Sequence, residues 1–273
     1  MGVLSVNLSP QVLVPRLCNC AAGYSQSYFS EFLKDKVEHL PANRMEMREA
    51  LKDPRFSAQV FFGIYAFERA GSGRAGYGGI ASKLLHGGKD FLNGSDFWKA
   101  FQVACESKRL GSNERLNRRV LEQGYEKHFG MPRTKGWLFE IGSAMAENEL
   151  VLPAYLELLG IPGIGPKIAA FLCRDLVWIF GCEERLPAGE QLLLQPVDTW
   201  IRQIAILLWP EFKSVENRQV APVDFLIAAR IVSTTHDLGQ SGAAFNQGSW
   251  YFGNRRQARA DVDLHAALLT LQA

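Results

Sequence analysis

The sequence predicts a mainly helical fold in two lobes with a cleft between them. Apolar residues recur at helical spacing along much of the chain, and strand-like alternation is sparse. Glycine and proline punctuate these stretches where helices start and stop. With 273 residues, 47% of them hydrophobic and 21% charged, the chain can bury a full core in one compact unit or in two lobes. Residues 85–209 are assigned to one helical lobe. Both chain ends, residues 1–84 and 210–273, are assigned to the other.

Taken in order, residues 25–40 (SQSYFSEFLKDKVEHL) predict an amphipathic helix with Tyr28, Phe29, Phe32 and Leu33 on one side. Pro41 stops it. Asn43 caps a short second helix through Leu51, and Pro54 ends that one. Residues 56–70 are strongly apolar and read as a buried helix. Residues 71–79 (GSGRAGYGG) read as a loop. Gly71, Gly73 and Gly76 match the dinucleotide glycine pattern, but a helical segment precedes them and no strand alternation surrounds them, so the context is wrong. Residues 83–85 and 91–104 predict further helices. The second is capped by Ser95 or Asp96 and turns Phe97, Phe101 and Ala104 inward. Residues 108–135 are the densest basic segment. Within them 113–128 reads as a helix with Arg115, Arg118 and Arg119 on one face, either simply solvated or facing phosphate. Residues 137–145 predict another core helix.

The centre of the chain is residues 153–181. Pro153 suits the first turn of a helix, and Gly160 suits its left-handed stop. Residues 161–165 (IPGIG) are too short and too glycine-rich for anything but a turn. Pro166 starts a second helix, where its missing N–H costs nothing. Ile168, Phe171, Leu172, Asp175, Leu176 and Ile179 give that helix an apolar stripe broken only at Asp175, and Gly181 ends it. Such a hairpin can merely pack. It can also grip a nucleic-acid backbone without regard to sequence. Gly163 and Gly165 lack a Cβ, so backbone N–H groups can meet a phosphate oxygen, and the helix adds its positive end.

Two side chains point past packing. Lys167 sits at the head of the second helix, where the helix dipole disfavours a cation and favours a neutral, nucleophilic amine. Asp198, in Pro196-Val197-Asp198-Thr199-Trp200, is a good cap for a helix over 199–209. Backbone N–H bonds there keep its carboxylate ionised. An anion held near a nucleophilic amine suits chemistry that passes through a cation.

LGIPGIGPK followed by PVDTW resembles the helix-hairpin-helix DNA glycosylase superfamily, nearest its 8-oxoguanine DNA glycosylase/AP lyase branch. Firm resemblance covers residues 150–210. It implies the two-lobed helix-hairpin-helix glycosylase fold and a bifunctional DNA glycosylase and AP lyase. Lys167 then matches the nucleophile that attacks C1′ of the damaged nucleoside, and Asp198 its partner. The backbone carbonyls of Leu159, Ile161 and Ile164 match a site for a monovalent cation, Na+ or K+. Relatives place a wedge loop after the first core helix, which makes Arg74 and Tyr77 candidates to fill the vacated stack. A glutamine and an aromatic four residues later line the family's base pocket. Gln247 and Tyr251 hold that spacing, with Phe245 and Trp250 as neighbours able to stack on a base. Gly163, Gly165, Arg115 and Arg119 are the expected contacts to DNA phosphates. The family often has histidine two residues after the aspartate; this chain has Trp200. The loop from Cys182 to Gln195 is longer than usual.

After the aspartate helix, Pro210 ends it, and Pro222-Val223-Asp224 opens another through Ile231. Residues 240–253 mix glycine, glutamine and four aromatics in what otherwise reads as a plain C-terminal helix. His236-Asp237 reads as a surface pair, with a contact to the same base-pocket segment as the alternative. The tail carries Arg255, Arg256 and Arg259, then an apolar helix that closes the fold.

Composition bounds the partners. A net charge of +2 supplies no strong overall field, so a DNA binder must gather its basic residues on one face. Five cysteines, none after Cys182, suggest a reducing, intracellular setting and no iron–sulfur cluster. The five histidines form no metal-ligand grouping, and no cofactor is expected to be required. No apolar run is long enough for a membrane span. The apolar start lacks a basic n-region, and Val6 stands where a lipidation motif wants Ser or Thr. The expected partner is double-stranded DNA carrying a damaged or modified base, met by a monomer. The base itself stays open: oxidised guanine, or a bulky modified pyrimidine in defence against foreign DNA. A non-catalytic hairpin DNA-binding protein is the reading of another class.

Overall fold

The computed structural model describes residues 8–24, 37, 41, 43–67, 74–87, 91, 93–130, 134–215, 221–257 and 263–272. Among them every regular element is a helix, as the apolar spacing predicts, and there is no strand. In chain order the α-helices are α1 (Pro10–Asn19), α2 (Ala21–Tyr24), α3 (Arg44–Ala50), α4 (Pro54–Val60), α5 (Arg74–His86), α6 (Gly94–Ser107), α7 (Glu114–Gly124), α8 (Trp137–Asn148), α9 (Leu152–Leu159), α10 (Pro166–Phe180), α11 (Ala188–Gln191), α12 (Thr199–Leu208), α13 (Ala221–Asp237), α14 (Gly242–Gln257) and α15 (Leu264–Gln272). No helix among the described residues is long and apolar enough to cross a membrane. The helix expected over 25–40 lies outside the described residues.

The chain forms two compact units, Ser27–Pro187 and Met1–Gln26 with Ala188–Ala273. This division differs from the one drawn on the sequence. Residues 27–84 join the hairpin's unit, and the helix after Asp198 joins the chain ends. Which surface a helix buries against is a tertiary choice that its own apolar stripe does not encode.

In the hairpin unit, Asn43 caps α3 by accepting from the Glu46 N–H at 2.9 Å. Pro54 opens α4 rather than only closing α3. Asp53 supplies the cap, accepting from the Arg55 N–H at 2.7 Å, and proline fits the first turn because it has no N–H to lose. α4 runs into a π-helical turn, Phe61–Tyr65, buried throughout. Phe61 and Phe62 pack there with Phe97, Phe129 and Trp137 at centroid separations of 5.0–5.7 Å. The glycine-rich stretch is not a loop from Arg74 onward: it is the first turns of α5. A Cβ on Gly78 would stand 2.2 Å from the Gly63 carbonyl oxygen. Glycine here serves a close crossing of two helical segments, not a bend. Residues 71–73 lie outside the described residues. The cap of α6 is Asn93, accepting from the Asp96 N–H at 2.9 Å, in place of Ser95 or Asp96. α7 ends in a second π-helical turn, Tyr125–Phe129.

In the unit of the chain ends, Leu13, Leu17, Ile201, Ile204, Leu208, Trp209, Ile227, Ile231, Phe245 and Leu268 form one apolar core. α1 crosses α14 at Gly248, where a Cβ would fall 1.7 Å from the Leu17 carbonyl oxygen. α13 continues past Ile231 to Asp237. Thr235 stays in the helix with its hydroxyl donating to the Ile231 carbonyl at 2.8 Å, and His236 and Asp237 are exposed, as a surface pair should be.

Candidate active site

The hairpin is α9, a turn, and α10. α9 does not stop in the left-handed region: Gly160 has φ −70° and ψ −11°. The helix winds out instead through bonds from the Gly160 N–H to Leu156 and from the Ile161 N–H to Leu158. The reversal falls on the next four residues. The Ile164 N–H donates to the Ile161 carbonyl at 3.0 Å, with Pro162 and then Gly163 between them and φ +88° at Gly163. Proline followed by glycine at positive φ is the signature of a type II turn. Of the three carbonyls expected to hold a cation, that of Ile161 already closes this turn. Gly165 is extended (φ −99°, ψ 176°) and caps α10 with its backbone alone. Apart from its own residue and its two chain neighbours, no atom lies within 4 Å of where its Cβ would be, so the space before the first turn of α10 is open.

Lys167 is the second residue of α10, and its side chain is exposed. Tyr155 of α9 donates its hydroxyl to the Pro166 carbonyl, one residue before the lysine, at 3.4 Å. Burial, and then the neighbouring Cys173, raise that hydroxyl's pKa above the ordinary tyrosine value. Lower in the same helix, Asp175 breaks the apolar stripe without facing water. It is fully buried, accepts the Tyr65 hydroxyl at 2.9 Å, and pairs with Arg174 at 2.9 Å.

Asp198 belongs to the other unit. It caps α12, accepting from the Ile201 N–H at 2.9 Å, and is half-buried. Trp200 packs its ring against Gly253, where a Cβ would stand 2.7 Å from the indole. It is a packing residue.

Arg115 and Arg119 are exposed, one turn apart on α7. Arg118 departs from the expected trio. It bridges Glu114 at 2.9 Å and Glu122 at 3.1 Å on its own helix. Tyr77 is not at a loop tip. Its hydroxyl donates to the Gly111 carbonyl, and its ring packs on Phe67 and Phe101 at 6.0 and 5.9 Å. Burial raises its pKa. Held at both ends, it is poorly suited to act as a wedge. Arg74 begins α5, and its side chain lies outside the described residues.

On α14 the four candidates divide. Gln247 and Tyr251 share a helix face, one turn apart. Tyr251 covers Gly23, where a Cβ would be 2.6 Å from its ring, and Trp250 meets Tyr24 edge-on at 5.7 Å. Gln247 is 3% exposed, and its Nε2 is a buried donor without an acceptor. Phe245 turns the other way, into the apolar core beside Trp209 at 6.0 Å. It is a core residue rather than a member of the Gln247 face.

Two arrangements carried no signal in the sequence. Glu157 of α9 accepts from Trp137 Nε1 at 3.0 Å, and His128 Nδ1 stands 3.3 Å from the same oxygen. Asn246, 1% exposed, donates to the Pro196 carbonyl at 3.4 Å. Neither pairing has a sequence spacing that would reveal it, since each joins residues brought together only by packing. No group of three or more His, Cys, Asp or Glu residues arranged to hold a metal occurs among the described residues. No family model matches the chain, and no curated protein or solved structure matches it.

Proposed function

We propose that the chain is a bifunctional DNA glycosylase and AP lyase of the two-lobed helix-hairpin-helix type. The observation that carries this reading is the hairpin: a type II turn opens onto the uncovered first turn of α10, with the exposed Lys167 at its head. Gly163, Gly165 and the α10 N-terminus take a DNA phosphate, and Arg115 and Arg119 add charge along the backbone. The resemblance supplies a monovalent cation at the Leu159, Ile161 and Ile164 carbonyls.

The target nucleotide rotates out of the stack at a cost of a few kcal/mol. The Lys167 nitrogen bonds to C1′ through its lone pair while the base leaves with the electron pair of the glycosidic bond. Asp198 stabilises positive charge on the sugar. Ring opening gives a Schiff base between the lysine nitrogen and C1′. Loss of a C2′ proton then expels the 3′ phosphate, which nicks the strand by β-elimination, and water releases the lysine. Gln247 and Tyr251 meet the extruded base, which is best assigned as 8-oxoguanine.

Borohydride reduces the C=N bond and locks enzyme to DNA. On duplexes carrying single defined lesions, 8-oxoguanine and a bulky modified pyrimidine among them, wild type gives a trapped adduct with one of them. Lys167→Gln gives none. Trapping that survives this substitution removes Lys167 as the nucleophile. A wild type that binds every duplex and traps none leaves a DNA-binding hairpin without catalysis.

A further inference from the structure

The chain reaches Asp198 through buried, irregular backbone. Gln195 and Val197 are 5% and 8% exposed, Pro196 between them is buried, and none of the three is helical. Carbonyls in such a stretch need donors from elsewhere. Asn246 provides one, its Nδ2 lying 3.4 Å from the Pro196 oxygen. A carboxamide that is 1% exposed is costly unless it is bonded. At an interior position of α14 an apolar side chain would pack with no such demand.

Asn246 also has a telling place on its helix. Its neighbour Gln247 points about 100° away around the axis, toward the face shared with Tyr251. Asn246 instead turns to the segment before Asp198. Two residues beyond the bonded Pro196 carbonyl, the Asp198 carboxylate must sit where it can accept the Ile201 N–H. A shift of the segment moves that carboxylate directly, because nothing but Val197 lies between.

The geometry points to Asn246 as a positioning residue: its carboxamide holds the Pro196–Val197–Asp198 backbone against α14 and so fixes the Asp198 carboxylate relative to the helix that bears Gln247 and Tyr251. The role in turnover rests on the reading of Asp198 as the charge-stabilising group of a glycosylase. The placement of the cap does not.

Native-state hydrogen exchange at two amides of α12 separates positioning from general loosening. The Ile201 amide reports the Asp198 cap. The Trp209 amide, bonded to the Ala205 carbonyl at 2.8 Å, reports the far end of the same helix. Asn246→Leu is expected to speed exchange at Ile201 about tenfold relative to Trp209, the scale of one broken hydrogen bond. On a duplex with a single abasic site it slows borohydride trapping by a similar factor. Asn246→Ala, which removes the donor with a smaller side chain, tests the same point should the leucine variant fail to fold. Exchange at Ile201 that does not change relative to Trp209 in either variant overturns the proposal, whatever trapping does. Exchange that responds in a protein whose wild type traps no abasic DNA upholds the positioning and removes the glycosylase reading, so the two fail separately.

Discussion

Glu157 shows how one carboxylate can bind several elements together. Its Oε1 takes the Trp137 indole N–H from α8 and faces His128 of the π-helical turn after α7. The His128 interaction, then Trp137, holds the carboxyl below its ordinary value of 4.5 against the opposing effect of burial. A depressed carboxyl pKa adds stability above the unfolded value and loses it as pH falls through the folded one. Wild type is therefore expected to melt above Glu157→Gln at neutral pH, with the gap narrowing once the pH drops below about 4.5, the unfolded-state value. Thermal melts of both proteins from pH 7 to pH 3 measure this; a gap that does not vary with pH would show that the charge is irrelevant. At this scale, what was legible in the sequence is what is local. The caps at Asn43 and Asp198 and the proline at the head of α10 each depend on neighbours within four residues. The direction Phe245 faces, and the partners of Asn246 and Glu157, depend on which helices meet.

The two glycines of the hairpin turn differ in what they can accommodate. Gly163 sits at φ +88°, a region that L side chains enter at a cost, whereas Gly165 is extended and open. Gly163→Ala should destabilise the protein by about 1–2 kcal/mol. Gly165→Ala should cost less than about 1 kcal/mol, since only a cap preference changes. Urea unfolding distinguishes the pair. Affinity for duplex DNA should fall in Gly165→Ala despite the small stability change, because a methyl group would enter the space assigned to a phosphate. Equal affinity would put the phosphate elsewhere. Elements were legible where turn chemistry and apolar spacing agreed, as in α9, α10 and α12. They were misread where glycine had two uses. Gly76, Gly78 and Gly79 signal a loop by composition, yet α5 uses Gly78 to approach Gly63 closely. The π-helical turns add one residue to a helical repeat and leave no compositional mark.

For the whole molecule, charge is the sharpest constraint. A chain of net charge +2 has no broad positive field, so on the proposed function its affinity for DNA rests on a few placed cations. Arg115, Arg118 and Arg119 are all exposed on α7, but Arg118 is occupied by Glu114 and Glu122 of its own helix. If Arg115 and Arg119 both meet phosphate, replacing them with alanine should lower the slope of log affinity against log salt by roughly 2, about 0.9 for each phosphate no longer neutralised. Fluorescence anisotropy between about 50 and 200 mM salt reads this slope, and an unchanged slope would take α7 out of the interface. The mainly helical class was legible at this scale because it sums many local signals. The division into units was not, because residues 27–84 could bury their apolar faces in either unit without changing a single spacing.

α10 is enclosed along its shaft: eleven of its fifteen residues are buried, an arginine and an aspartate among them. A rod gripped on nearly every side can neither roll nor slide without unpacking its surroundings. Whatever Lys167 reaches must therefore come to a fixed post, and the only travel left to the amine is the swing of its own four methylenes.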